Sequence, residues 1–167
     1  MRALICFLAA CATASPAYAA PPKVRALADI HKAGFKDCIE PMARFVTFVH
    51  DDDDAYAYLG VWSQEKPNTE MATVLTSEGY TDGHSLATIT AVKTANGACN
   101  VTLTQAFVTP EQTCPRVRDE SFKEWKFYSE LNGATLYEDP TTPNGNVAMT
   151  PVGKTGCLIV KNLVAFE

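Results

Sequence analysis

The chain has 167 residues, of which 47% are hydrophobic, 10% aromatic and 20% charged, a composition that can bury a core and excludes a disordered or low-complexity chain. Its formal net charge of −5 excludes a general binder of nucleic-acid backbones, which needs a clustered cationic surface. No segment reaches the run of about 18 uninterrupted apolar residues that a membrane-spanning helix requires.

Met1-Arg2 make a short positive start, and Ala3 to Ala14 are largely apolar. Ser15-Pro16 interrupts the run before Ala17-Tyr18-Ala19, a small-x-small cleavage pattern. Residues 1–19 therefore read as an export signal and 20–167 as a single globular domain, periplasmic or secreted once cleaved. Loss of Arg2 with the signal makes the mature chain one unit more acidic. Leu8-Ala9-Ala10-Cys11 resembles a bacterial lipobox, which gives the alternative of a lipoprotein anchored at Cys11. The short hydrophobic run before it favours cleavage at Ala19.

Cys6 and Cys11 leave with the signal, and Cys38, Cys99, Cys114 and Cys157 remain. An even number in an exported chain predicts two disulfides. No two cysteines have CxxC spacing, so neither a redox pair nor a zinc ribbon is indicated.

After Pro21-Pro22, the spacing of Val24, Leu27, Ala28 and Ile30 predicts a short helix stopped by Gly34. A second helix is predicted from an Asp37 N-cap, with Glu40 three residues on. Cys38, Met42, Phe45, Val46 and Val49 form its inward stripe. His50 and the run Asp51, Asp52, Asp53 and Asp54 follow. These carboxylates do not have the spacing of a calcium loop, because Ala55 replaces the third ligand and no glycine follows. They read either as a solvated loop or as an acidic prong for a cationic partner.

From Tyr56 the period changes to two. Tyr56, Tyr58 and Trp62 alternate with aliphatic residues on a strand, as an aromatic face that is either core or a stacking platform. Asp82-Gly83 and Asn96-Gly97 read as two-residue hairpin turns joining strands at 70–80, 85–95 and 98–108. Their register, with Thr81 opposite His84 and Ala95 opposite Ala98, puts Met71, Leu75, Leu86, Val92, Cys99, Val101, Leu103 and Phe107 on the core face. Val74 and Ile89 then fall on the wet face as apolar exceptions.

Residues 109–121 read as a loop or short helical turn carrying Cys114. Asn132-Gly133 predicts a hairpin of 126–131 with 134–139, with Tyr128 opposite Tyr137. Strands near 146–151 and 157–166 end the chain, the last apolar enough to be central. The sum is an α+β fold, disulfide-braced, with N-terminal helices packed on one face of a largely antiparallel sheet of about seven to eight strands. Strand directions favour the pairs Cys38–Cys114 and Cys99–Cys157.

The catalytic motifs are missing from the sequence: it has no GxSxG elbow and no HExxH helix. Val152-Gly153-Lys154-Thr155 resembles the end of a phosphate-binding loop, but Ala148 stands where its first glycine belongs. His31 and His84 have no partner visible in the sequence, and Glu120 and Glu124 read as a solvated face. No catalytic residue, metal or cofactor is assigned. The expectation is a binder: an inhibitor or immunity-type protein that blocks a cationic envelope hydrolase through Asp51, Asp52, Asp53 and Asp54, with Tyr56, Tyr58 and Trp62 beside them. The alternative is a small-ligand or carbohydrate-binding protein, or an enzyme, using the aromatic face.

Overall fold

A computed structural model describes residues 24–50, 56–80 and 83–166. A 3-10 turn at Arg25–Leu27 leads into α1 (Ala28–Lys32), and α2 (Ile39–His50) follows. Then come β1 (Ala57–Trp62), β2 (Ala72–Tyr80), β3 (Gly83–Lys93), β4 (Cys99–Thr109), α3 (Cys114–Ser121), β5 (Lys126–Leu131), β6 (Ala134–Glu138), β7 (Asn146–Val152) and β8 (Gly156–Phe166). The eight strands form one antiparallel sheet in the order β1-β2-β3-β4-β8-β7-β6-β5. Strand content dominates, and the helical share is three short helices. None of them is long and apolar enough to cross a membrane.

Two buried clusters lie along this sheet. Leu27, Ile30, Met42 and Val46 from the helical segments share the larger with Val74, Ile89, Val101 and Leu103. Val117 and Phe122 share the smaller with Val147, Met149 and Ile159. The stripe expected on α2 is present: Cys38, Met42 and Val46 are buried, and Phe45 and Val49 pack half-buried beside them.

The faces of β2 and β3 are the reverse of those expected. Ala72, Val74, Ala87, Ile89 and Ala91 are buried, whereas Met71, Leu75, Leu86 and Val92 are exposed. The cause is one residue of loop. Thr94 N–H donates to Ala98 O at 2.8 Å and Lys93 pairs with Cys99, so residues 95–97 make a three-residue connection. A one-residue change in loop length exchanges the two faces of a strand. The preceding hairpin pairs Tyr80 with Gly83, an even shift that leaves β2 and β3 matched. Cys99, Val101 and Leu103 are buried as expected.

At the Asn132-Gly133 turn both residues have positive φ, 47° and 90°, and Leu131 pairs with Ala134. A bulge between Phe127 and Ser129 then displaces Tyr128, so that Phe127 opposes Tyr137, their rings edge to face at 6.3 Å. Tyr128 is therefore not the cross-strand partner of Tyr137.

The disulfides join Cys38 to Cys99 and Cys114 to Cys157, replacing the expected Cys38–Cys114 and Cys99–Cys157. The last strand decides this. Because β8 runs antiparallel to β4, it sets Cys157 beside Thr109 and Phe166 beside Asn100. Cys157 thus lies at the far end of β4 from Cys99 and next to the start of α3, where Cys114 stands.

Candidate functional site

Asp51, Asp52, Asp53 and Asp54 lie outside the described residues. Tyr56 is buried, with its ring stacked on His50 at 4.1 Å and tilted against Tyr58 at 6.4 Å. The Arg25 guanidinium covers both tyrosines, 5.9 Å from the Tyr56 centroid and 5.4 Å from that of Tyr58, and donates to Tyr56 O at 2.9 Å. Trp62 packs half-buried against the larger cluster. The aromatic residues of β1 therefore turn toward the core, while Leu59 and Val61 on the same strand are 60% and 59% exposed.

His50 closes α2 and carries a polar network that the local pattern does not announce. Its Nδ1 lies 2.6 Å from Glu78 Oε2 and its Nε2 2.7 Å from Thr76 Oγ1, and Tyr80 OH donates to the same Glu78 oxygen at 2.8 Å. A carboxylate, an imidazole and a hydroxyl in line have the connectivity of a nucleophilic triad. Access decides against that chemistry. Thr76 is 1% and His50 4% exposed, so a substrate carbonyl has no path to the hydroxyl. The network satisfies polar groups that the fold has buried.

Two adjoining concavities lie elsewhere, around Lys161. This lysine is the sole charge in β8, flanked on its face of the strand by Ile159 and Leu163. On one side of it a cavity of about 380 Å³ is lined by Tyr80, Ser85, Gln105, Phe107 and Phe122. On the other side a cavity of about 350 Å³ is lined by Arg44, Phe45, Phe48, Asp139 and Leu163. Lys161 belongs to both.

The ammonium is held by rings rather than by a counter-ion. Nζ is 4.6 Å from the Phe48 centroid and 5.8 Å from that of Trp125, in range for cation–π attraction. Among the described residues it forms no ion pair. Burial pulls its pKa below the ordinary lysine value, and the charge of Asp139 acts in the opposite direction.

The walls are fixed by their own contacts. Trp125 meets Phe122 edge to face at 5.1 Å, and its carbonyl accepts from Arg118 Nη2 at 3.0 Å. On the floor, Gln105 Nε2 donates to Ser85 Oγ at 3.0 Å. No group of three or more His, Cys, Asp or Glu side chains converges among the described residues to hold a metal ion.

Comparison with family models, with curated proteins and with solved structures yields no match. The functional reading therefore rests on this geometry. Neither Lys161 nor the His50 network carries a motif in the sequence. A lone lysine in the most apolar strand was the available signal for the first. The second needed the long-range pairing of α2 with β2, which no spacing reveals.

Proposed function

We propose that the chain is exported, loses residues 1–19, and acts outside the cytoplasm as a binding protein whose helices pack on one face of the sheet. The cleft around Lys161 is its ligand site, and the ligand presents an anionic group, a carboxylate in the simplest case. The observation that carries this reading is the half-buried Lys161 ammonium, set between two cavities and between two aromatic rings with no carboxylate paired to it among the described residues. A cation kept partly out of water and unpaired costs free energy, and an incoming anion recovers that cost. Concave, mainly apolar sites with a few polar groups are the usual form of small-ligand pockets.

The test is an NMR titration of the mature protein with acetyl-glutamate. Shifts centred on Lys161, Ser85, Gln105 and Phe48 that disappear in Lys161→Met are expected. Shifts scattered over surface lysines, or retained in the variant, overturn the reading. N-terminal sequencing of the exported product is expected to begin at Ala20; a lipidated Cys11 at the start would replace the soluble form by an anchored one.

A second reading keeps the expectation of an inhibitor or immunity-type protein docked on a cationic envelope hydrolase. The observation in its favour is the exposure of Leu59, Val61 and Leu75 on the outward side of β1 and β2, in the strand that the acidic run leads into. Such a surface gives apolar contact beside charge steering. Capture of one hydrolase from envelope extract, weakened by high salt and by Asp51–Asp54 changed to asparagine, supports it. Capture indifferent to both removes the acidic run from the interface.

A further inference from the structure

We infer that the occupant of the Lys161 cleft is an extended peptide segment that places an acidic side chain on Lys161 and an apolar side chain two residues to each side. This rests on the proposed role of the cleft and adds the class of ligand.

Three observations carry it. The first is spacing. Lys161 separates the two cavities, and along the sheet the apolar floor recurs at a strand's own interval. Leu163 is two residues beyond Lys161 in β8, and Phe107 pairs with Ile159, two residues before it. Residues i and i+2 of an extended peptide lie on one side, about 6.6 Å apart. A peptide lying along β4 and β8 therefore brings i−2, i and i+2 over Phe107, Lys161 and Leu163, in one direction or the other.

The second is length. From Leu163 to Cys157, which is paired with Thr109 at the end of the first cavity, β8 advances six residues, about 20 Å. That length fits a segment of five or six residues and is more than a single small acid occupies.

The third is chemistry. The walls are Phe45 and Phe48 on one side and Phe122 on the other, and each cavity is lined mainly by apolar atoms. Apolar side chains gain by entering such space. The first cavity also presents the polar side chains of Tyr80, His84, Ser85, Gln105 and Thr109, which are partners for the backbone groups of such a segment. Of the two cations that line the cleft, Arg44 and Lys161, only Lys161 borders both cavities, so it places the carboxylate at the centre of the segment, and the acidic balance of the rest of the chain disfavours peptides that approach it with several carboxylates.

The experiment measures binding of four probes to the mature, oxidised protein by NMR and calorimetry: acetyl-glutamate, the capped pentapeptide Leu-Thr-Glu-Thr-Leu, the same peptide with Gln for Glu, and a galacturonic acid trimer. The pentapeptide is expected to bind at least tenfold tighter than acetyl-glutamate, and the Gln peptide at least tenfold weaker than the Glu peptide. The Glu-to-Gln comparison uses the wild-type protein, so it does not depend on any variant folding. Lys161→Met is expected to abolish the difference between the two peptides while leaving the far-ultraviolet spectrum unchanged. A pentapeptide no tighter than acetyl-glutamate overturns the peptide inference and leaves the anion cleft standing. A trimer that outcompetes the pentapeptide replaces the peptide by an acidic glycan. Failure of every carboxylate to bind overturns the cleft reading itself.

Discussion

An ammonium half out of water that forms no ion pair among the described residues weakens the fold that holds it. Burial draws the Lys161 pKa below its ordinary value, against the pull of Asp139, so in the alkaline range below the free-lysine value the unfolded chain binds more protons than the folded one. Stability then rises with pH across that range: the unfavourable contribution of Lys161 is fully present at neutral pH and is relieved as pH climbs toward the free-lysine value. Lys161→Met removes the charge and keeps an unbranched stem that still packs on Phe48 and Trp125. The variant is expected to melt about 2 °C higher than wild type at pH 7, with the gap narrowing at pH 10. A lower melting temperature at pH 7 would show that the ammonium stabilises the fold, contrary to the role given to it. Asp37 behaves in the opposite sense. Its hydrogen bonds from Lys93 and Asn68 hold its carboxyl below the usual value, so the stability it contributes is present above the ordinary carboxylate range and is lost as pH falls through the lowered one. The two side chains are 31% and 39% exposed, so the pair is partly screened by solvent. Asp37→Asn is expected to lower the midpoint of urea unfolding slightly at pH 7, the two proteins converging as the acid limb is approached.

At the scale of the element, two Asn-Gly pairs separate what the chain announces from what it conceals. Asn132-Gly133 takes positive φ at both residues and makes the two-residue turn that its composition predicts. At Asn96-Gly97 only the glycine has positive φ, at 89°, and the turn gains a residue. The dipeptide is the same, so the difference comes from the strands: a three-residue loop lets Val74, Ile89 and Ala91 meet the buried Val101 and Leu103, whereas a two-residue loop would bury Leu75 and Leu86 and expose Ile89. Both registers bury aliphatic side chains, and for this reason the alternation of β2 and β3 did not discriminate between them. The position of Tyr128 is hidden for a related reason, since a bulge in an exposed edge strand leaves no mark on hydrophobic periodicity. Loop length at residues 95–97 is accordingly the sensitive quantity. A Cβ at Gly97 meets nothing within 4 Å, so Gly97→Ala carries only the conformational penalty of positive φ, about 1 kcal/mol. Deletion of Ala95 instead forces the two-residue turn and sets the faces of β3 and β4 against each other. Urea unfolding is expected to show a modest loss for the substitution and no cooperative transition for the deletion. A deletion variant as stable as Gly97→Ala would mean that register is set elsewhere.

Over the whole molecule, the passage from the N-terminal helices to strands is legible in the change of period at Tyr56, and the expected seven to eight antiparallel strands are eight among the described residues, with α3 set between β4 and β5. The order of the strands is not legible. β8 enters between β4 and β7, a pairing across 58 residues between Thr104 and Asn162 that no local turn dictates, and the disulfide partners depend on that insertion. Each bridge fastens one of the two buried clusters: Cys38–Cys99 ties the start of α2 to β4, and Cys114–Cys157 ties α3 to β8. They close separations of 61 and 43 residues, for which the chain-entropy relation gives about 4 kcal/mol each. Domains of this size have a total stability of about 5–15 kcal/mol. Loss of both bridges therefore removes a large part of the total, which fits a protein that folds in an oxidising compartment. Reduction is expected to lower the urea midpoint by more than half. The single-bridge variants separate fold from site: Cys38→Ala/Cys99→Ala frees α2 from β4 and should mainly destabilise the larger cluster. Cys114→Ala/Cys157→Ala releases the segment that carries Phe122 and Trp125, so it should weaken carboxylate binding at Lys161 beyond what its loss of stability explains. Binding measured well below each variant's unfolding transition distinguishes the two effects. Equal affinity in all three oxidised proteins would show that the α3 wall of the cleft does not depend on its disulfide.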